Sequence, residues 1–387
     1  MNQVSIVGVG MIPFGRHPER SLVSMAAEAA RAALRDAKVE PSEVGAGFFS
    51  NGLAARLFSD HTIGQNVFWE VGINRIPVYN IENACTSAST AFCLAWSQVA
   101  AGQVDVAMVV GAEKMYVPEL GLIHSGQSEL DTQLGLVAPA GFALRAKRHM
   151  AEFGTTEAQL AAVAVKNRRH AGLNPYAQFR EPITLEDVIA APMIVDPLTR
   201  LQCCPNADGA AAVVLAGLGF VASRRGGEAA GRAIRVHAAV YCTGSYENPQ
   251  DLTNWETDER GCRLAYETAG MGPENLDVVE CHDAFTISEI LHYEALGLCP
   301  VGEGGRLVES GETSLGGRIP VNPSGGLLSR GHPPGATGAA QLFEIVTQLR
   351  GEAGSRQVEG ARVGLAHCMG GDKAADSKSC TVVIMSR

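Results

Sequence analysis

The sequence has no run of about 18 uncharged apolar residues, so no helical membrane span is expected. Its start, MNQVSIVGVGMIPFG, lacks the basic opening and long apolar stretch of a secretory signal, and a cytoplasmic location is the expectation. It lacks an excess of basic charge. The net charge of −10 argues against a general nucleic-acid binder, while leaving room for a local basic patch on a phosphorylated ligand. None of its ten cysteines forms a CxxC pair, so no metal site is expected. Its glycine-rich loop near residue 330 lacks the Lys-Ser/Thr that completes a phosphate-binding P-loop.

What is present describes a well-buried globular protein. Hydrophobic residues make up 46% and charged residues 19% of 387 residues, enough chain for about two domains. Strand-like runs alternate with amphipathic helical stretches. VSIVGVG (4–10), the short run 78–81, VDVAMVVGAE (104–113) and GAAAVVLAG (209–217) read as strands. Residues 21–39 read as a helix capped by Ser21. The grammar predicts an α/β fold with a mostly parallel sheet. Residues 116–195 break the rhythm with basic helical segments and read as an inserted loop domain or lid. After a connector at 222–233, the second half repeats the element order. Two similar halves, 1–225 and 226–387, are therefore expected.

Four elements could carry chemistry. Cys85 sits between a strand and an Ala/Ser-rich helix, where helix amides and dipole favour a thiolate. The alternative is a buried cysteine packing behind the helix. In GHPPGATG (331–338), two prolines and three glycines hold His332 in a stiff loop, suited to a fixed general base. A solvated loop histidine is the other reading. HCMGG (367–371) offers Cys368 as an acid/base and glycine amides as oxyanion donors. CHDAF (281–285) offers His282, which could hold a water or donate to a carbonyl oxygen. Most of these follow a predicted strand, and ligands of open α/β sheets gather at the carboxyl ends of strands.

NACTSAS, HDAF, NPSGGLLSRGHPPGATG and HCMGG together resemble the thiolase superfamily, over essentially the whole chain. The stretch HMAEFGTTEAQLAAVAVKNRRHAGLNPYAQFREPIT resembles its sterol-carrier-protein-type and archaeal branch. The resemblance implies two βαβαβαββ halves in a five-layered α-β-α-β-α arrangement. It implies an acyl-CoA C-acyltransferase that cleaves or forms a 3-ketoacyl-CoA. Cys85 would carry the acyl group, His332 would activate it, and His282 would help bind the thioester oxygen. Cys368 would be the second, acid/base cysteine, at a position where this branch usually has Asn, while Ala284 stands where the branch usually has Cys. The amides of Cys85 and Gly370 would form an oxyanion hole, and Asn322, Ser324 and Gly325 would approach the thioester or pantetheine. Coenzyme A would be a co-substrate, with no permanently bound cofactor. A homodimer or tetramer is implied, with a small OB-fold, zinc-ribbon partner subunit in some relatives. Arg145, Lys147, Arg148, Lys166, Arg168 and Arg169 are candidates for the CoA phosphates, against the simpler reading of a solvated helix face. Alternatives are a ketoacyl synthase, for which the His-Gly-Thr block is missing, a retro-aldolase needing no Cys85, and a non-catalytic acyl-CoA- or lipid-binding subunit.

Overall fold

A computed structural model describes residues 2–117, 129–224, 231–245, 251–373 and 376–387. Its strands are β1 (Val4–Met11), β2 (Ala46–Ser50), β3 (Val78–Ile81), β4 (Val106–Glu113), β5 (Met193–Val195), β6 (Leu198–Thr199), β7 (Gly209–Gly217), β8 (Ile234–Cys242), β9 (Val278–Glu280), β10 (Val363–Lys373) and β11 (Asp376–Ser386). Nine of them form one sheet in the order β3-β2-β4-β7-β1-β8-β11-β10-β9. Outward from the β1–β8 seam the two sides match: β1-β7-β4-β2-β3 on one, β8-β11-β10-β9 on the other. Where the second side would need a counterpart of β3, Val321 makes a single parallel bridge to Val279.

The expected mostly parallel sheet is not found. Only β2–β3, β2–β4 and β9–β10 run parallel. β1, β7, β8 and β11 pair antiparallel throughout: β7 returns from a long excursion after β4 in the opposite sense, and β11 begins three residues after β10 ends and runs back along it.

Three apolar clusters explain the layering. One outer cluster packs the Leu22–Ala37 and Ile63–Val71 helices on the first half-sheet. Another packs the Glu256–Ala269 and Thr286–Ala295 helices on the second. Between the half-sheets lies a cluster built on Ser87–Ala100 and Pro334–Arg350. The Pro334–Arg350 helix is buried along its whole length, while Ser87–Ala100 is buried on the side that meets it and leaves Leu94 and Ser97 exposed. Their crossing depends on Gly338, since a Cβ there would stand 2.6 Å from Ser89 N. Ser21 caps its helix as expected, accepting from Ser24 N at 3.1 Å.

The basic segments of 116–195 form the Ala138–Phe153 and Glu157–Gly172 helices, with 118–128 outside the described residues. The second helix is no solvated lid. Lys166 is buried, pairs with Glu289 and donates to Val321 O at 2.9 Å. Asn167 donates to Asp283 and Glu289, and His170 Nδ1 donates to Asn322 O at 2.9 Å. The helix is thus built into the floor of the second half.

Candidate active site

The turn after β3 positions Cys85. Ala84 adopts φ +48°, a left-handed conformation costly for a residue with a Cβ, and it turns the chain sharply into the central helix. Hydroxyls tie this turn down. Thr86 donates to Asn83 O at 2.7 Å, and Ser87 accepts from Asn83 N at 2.8 Å. These bonds compensate the strain locally.

His332 enters from the matching point of the other half, just before the second central helix. Its Nε2 lies 3.2 Å from Cys85 Sγ. Its Nδ1 lies 2.8 Å from Thr337 Oγ1, and that hydroxyl donates its only proton to Pro333 O at 2.9 Å. Thr337 can therefore only accept from the ring. Nδ1 carries the hydrogen, and the Nε2 lone pair faces the thiol.

Burial pushes the Cys85 thiol up to about 12, with the Glu113 carboxyl adding to it and the amides of Cys85 and Gly371 opposing. Burial also holds the His332 imidazole down to about 3, helped by Arg330. The resting pair is a neutral thiol against a neutral base. Burial here works against the thiolate that the helix terminus favours. The amides of Cys85 and Gly371 lie beside Sγ, and Gly370 lines the same cavity.

Cys368 faces the same point from β10. Its Sγ lies 3.2 Å from Cys85 O and 3.4 Å from His282 Nδ1. Burial raises the Cys368 thiol well above, and lowers His282 well below, their ordinary values. The His282 and His332 rings meet edge to face at 5.2 Å. Cys85, His282, His332 and Gly370 line a cavity of about 290 Å³ whose other walls include Phe142, Phe285 and Met369. Phe142 and Phe285 stack at 4.3 Å, giving one wall an aromatic surface.

Asn322, Ser324 and Gly325 do not line this cavity. Ser324 is spent on Glu280, donating from Oγ at 2.7 Å and from its amide at 3.0 Å. Asn322 accepts from Cys281 N at 2.9 Å and donates to Glu289 at 2.7 Å. Gly325 abuts Ala171, at a distance that no Cβ would tolerate. Of the six basic candidates, Arg145, Lys166 and Arg168 are buried. Arg145 donates to Asn254 O at 2.8 Å and lies over the Trp255 ring, and Arg168 donates to Ser329 Oγ at 3.0 Å. Lys147, Arg148 and Arg169 remain exposed.

Glu113 was not singled out from the sequence. It ends β4, fully buried, and accepts from Asn51 Nδ2 at 2.8 Å, Gly52 N at 2.8 Å and Gly335 N at 3.0 Å. Burial raises its carboxyl to about 7 despite these donors. One carboxylate thus clamps the loop after β2 to the helix that follows His332. An acid terminating an otherwise apolar strand was the available signal.

Comparison with known proteins matches this geometry. Residues 4–217 fit the thiolase N-terminal domain model, and residues 238–386 the thiolase C-terminal domain-like model. The chain is 39% identical to an acetyl-CoA acetyltransferase of Methanothermobacter thermautotrophicus, covering 96% of this chain and 97% of that protein. It is 38% identical to human sterol carrier protein 2, covering 96% of this chain and 70% of that one. A solved structure described as the Ltp2-ChsH2(DUF35) aldolase superposes with a TM-score of 0.81 at 25% identity, covering 99% and 97% of the two chains. With both halves matched and the archaeal acetyltransferase aligned almost end to end, the chain belongs to the thiolase family.

Proposed function

We propose that this chain is an acyl-CoA C-acyltransferase, cleaving or forming a 3-ketoacyl-CoA through an acyl-Cys85 intermediate. The observation that carries the reading is the 3.2 Å contact between Cys85 Sγ and a His332 nitrogen whose lone pair is aimed by Thr337. In cleavage, His332 Nε2 takes the Cys85 proton as sulfur bonds to the 3-keto carbon. The C2–C3 bond breaks, and the departing enolate takes a proton from Cys368. Coenzyme A then attacks acyl-Cys85, releasing a shortened acyl-CoA and restoring the thiol. Condensation runs these steps backward, with Cys368 removing the α-proton. Placing the chemistry on a covalent intermediate divides one difficult step into two. His282, whose Nδ1 is engaged by Cys368, turns its remaining nitrogen to the thioester oxygen. The backbone amides beside Cys85 Sγ stabilise the other oxyanion.

Coenzyme A serves as co-substrate, consistent with the reaction named for the acetyl-CoA acetyltransferase relative. The three exposed cations Lys147, Arg148 and Arg169 are the ones left to meet its phosphates. Functional division falls at 1–225 and 226–387, with 116–195 as the insertion. A homodimer is the working assembly. β3 is a sheet edge, with Tyr79 on it and Leu94 on the adjacent helix exposed at 41% and 44%. A small second subunit is proposed on the strength of the two-component aldolase neighbour. The protein acts in the cytoplasm.

That neighbour also favours a second reading, retro-aldol cleavage of a CoA thioester, which forms no acyl-cysteine. Incubation with a 3-ketoacyl-CoA in the absence of free CoA, followed by peptide mass spectrometry, separates the two. The acyl mass is expected on Cys85, and Cys85→Ala is expected to abolish turnover. Unchanged turnover by that variant would sink the thiolase mechanism.

A further inference from the structure

Directly behind the Cys368–His282 pair lies a group of ionisable side chains that the mechanism above does not use. Asp258, on the Glu256–Ala269 helix, is fully buried, as are His292 and His367. Its Oδ2 lies 2.6 Å from His292 Nδ1, and its Oδ1 lies 2.8 Å from His367 Nε2, at an angle too poor for a hydrogen bond. His292 Nε2 lies 3.1 Å from the backbone oxygen of His282. A carbonyl oxygen only accepts, so this nitrogen carries a hydrogen. Asp258 and His292 then hold one further proton between them.

His367 precedes Cys368 on β10, and successive strand residues face opposite sides of a sheet. Cys368 meets the Cys85 carbonyl and His282, and His367 meets Asp258. Asp258 therefore touches both segments that present the second catalytic pair. It touches β10 through His367 and the loop after β9 through His292 and the His282 carbonyl. The Trp255 ring stacks on His292 at 5.3 Å and closes the group from outside.

We propose that Asp258 is a positioning residue for the Cys368–His282 pair, acting across the sheet through His292 and His367. It sets the separation of the two groups that handle the α-proton. It leaves the Cys85–His332 pair, held by Thr337, to the other elements. The proposal rests on the acyltransferase reading, because it assigns Asp258 to one half of that reaction. Cys380 also lies close, and ligand atoms of Asp258, His367 and Cys380 fall within 4.8 Å of one another. Both Asp258 oxygens already face imidazole nitrogens, which favours an organising carboxylate over a metal ligand.

The test separates the two half-reactions with acetyl-CoA as the probe. Acetyl-Cys85 formation is followed by mass spectrometry. Proton removal is followed as solvent deuterium entering the acetyl methyl group. Asp258→Ala and His292→Phe are expected to slow deuterium uptake at least about tenfold, while acetyl-Cys85 forms within about threefold of the wild-type rate, since misplacing a catalytic group by a fraction of an ångström costs rates of that order. His292→Gln, whose amide can still donate to the His282 carbonyl, is expected to recover most of the uptake. If Asp258→Ala does not fold, the His292 pair decides alone. Equal loss in both half-reactions, unchanged deuterium uptake, or no difference between the His292 variants would overturn the proposal. So would a stoichiometric metal in wild-type protein that Asp258→Ala loses. Failure of wild-type protein itself to form acetyl-Cys85 would overturn the underlying reading instead.

Discussion

At the scale of single residues, the site is defined by which proton is where. Burial favours the neutral forms of Cys85 and His332, so in the proposed mechanism the nucleophile forms as its proton crosses 3.2 Å to a lone pair already aimed at it. Thr337 does the aiming, and one hydroxyl with one hydrogen suffices. Thr337→Val keeps the side-chain shape and removes the acceptor. It leaves the buried Nδ1–H unpaired and frees the ring to place its hydrogen toward the thiol. Acylation of Cys85 is expected to slow about tenfold to a hundredfold, with Thr337→Ser retaining most of the wild-type rate. Stopped-flow acylation with a short acyl-CoA measures this, and a Val variant as fast as wild type would remove Thr337 from the argument. His332 was legible because glycine and proline mark the backbone on which it sits, and Cys85 because it falls between a strand and an Ala/Ser-rich helix. Ser324 and Asn322 lie in the same kind of loop, yet their side chains answer to Glu280 and Glu289, and no local pattern announces those partners.

At the scale of elements, Glu113 joins the loop after β2 to the start of the Pro334–Arg350 helix. Its folded carboxyl is raised to about 7 from an ordinary 4.5, so the folded state holds the proton more tightly than the unfolded chain does. Stability from this group is complete below the unfolded value and is lost as pH rises through about 7. The shift corresponds to about 3 kcal/mol. Glu113→Gln does not titrate. The melting temperature of the variant relative to wild type is expected to rise between pH 5 and pH 8, whatever the offset from its altered hydrogen bonds. A difference constant across that range would contradict the assignment. Element type and order were readable from alternating apolar periods, and the edges of β3 fell where the sequence placed them. Strand direction was not readable, because the sense of β7 depends on where a long excursion ends, and the return of β11 along β10 carries no glycine–asparagine turn signal in DKAADS. The insertion was misjudged for a related reason. Lys166 and Arg168 look like a solvated face until their carboxylate and hydroxyl partners, more than a hundred positions away, are known.

At the scale of the whole molecule, β3 leaves one edge of the sheet uncovered, with Tyr79 and Leu94 beside it, while at the far edge Val321 bridges β9. A second copy pairing along β3 would cover this edge and make the assembly symmetric. Light scattering is expected to return twice the chain mass, and Tyr79→Lys to shift the protein toward monomer. A wild-type monomer at micromolar concentration would reject the assembly. Among the described residues no helix is long and apolar enough to cross a membrane.

The matching strand orders on either side of the β1–β8 seam have a further consequence. Each half carries one central helix, and the chain entering each helix delivers one side chain to the meeting point: a sulfur in the first, an imidazole in the second. Two identical units meeting this way would present like groups to each other, sulfur to sulfur or ring to ring. Joined in tandem, the units are free to differ at this one point. The matched architecture thereby allows a division of labour, and in the proposed mechanism neither half does chemistry without the other.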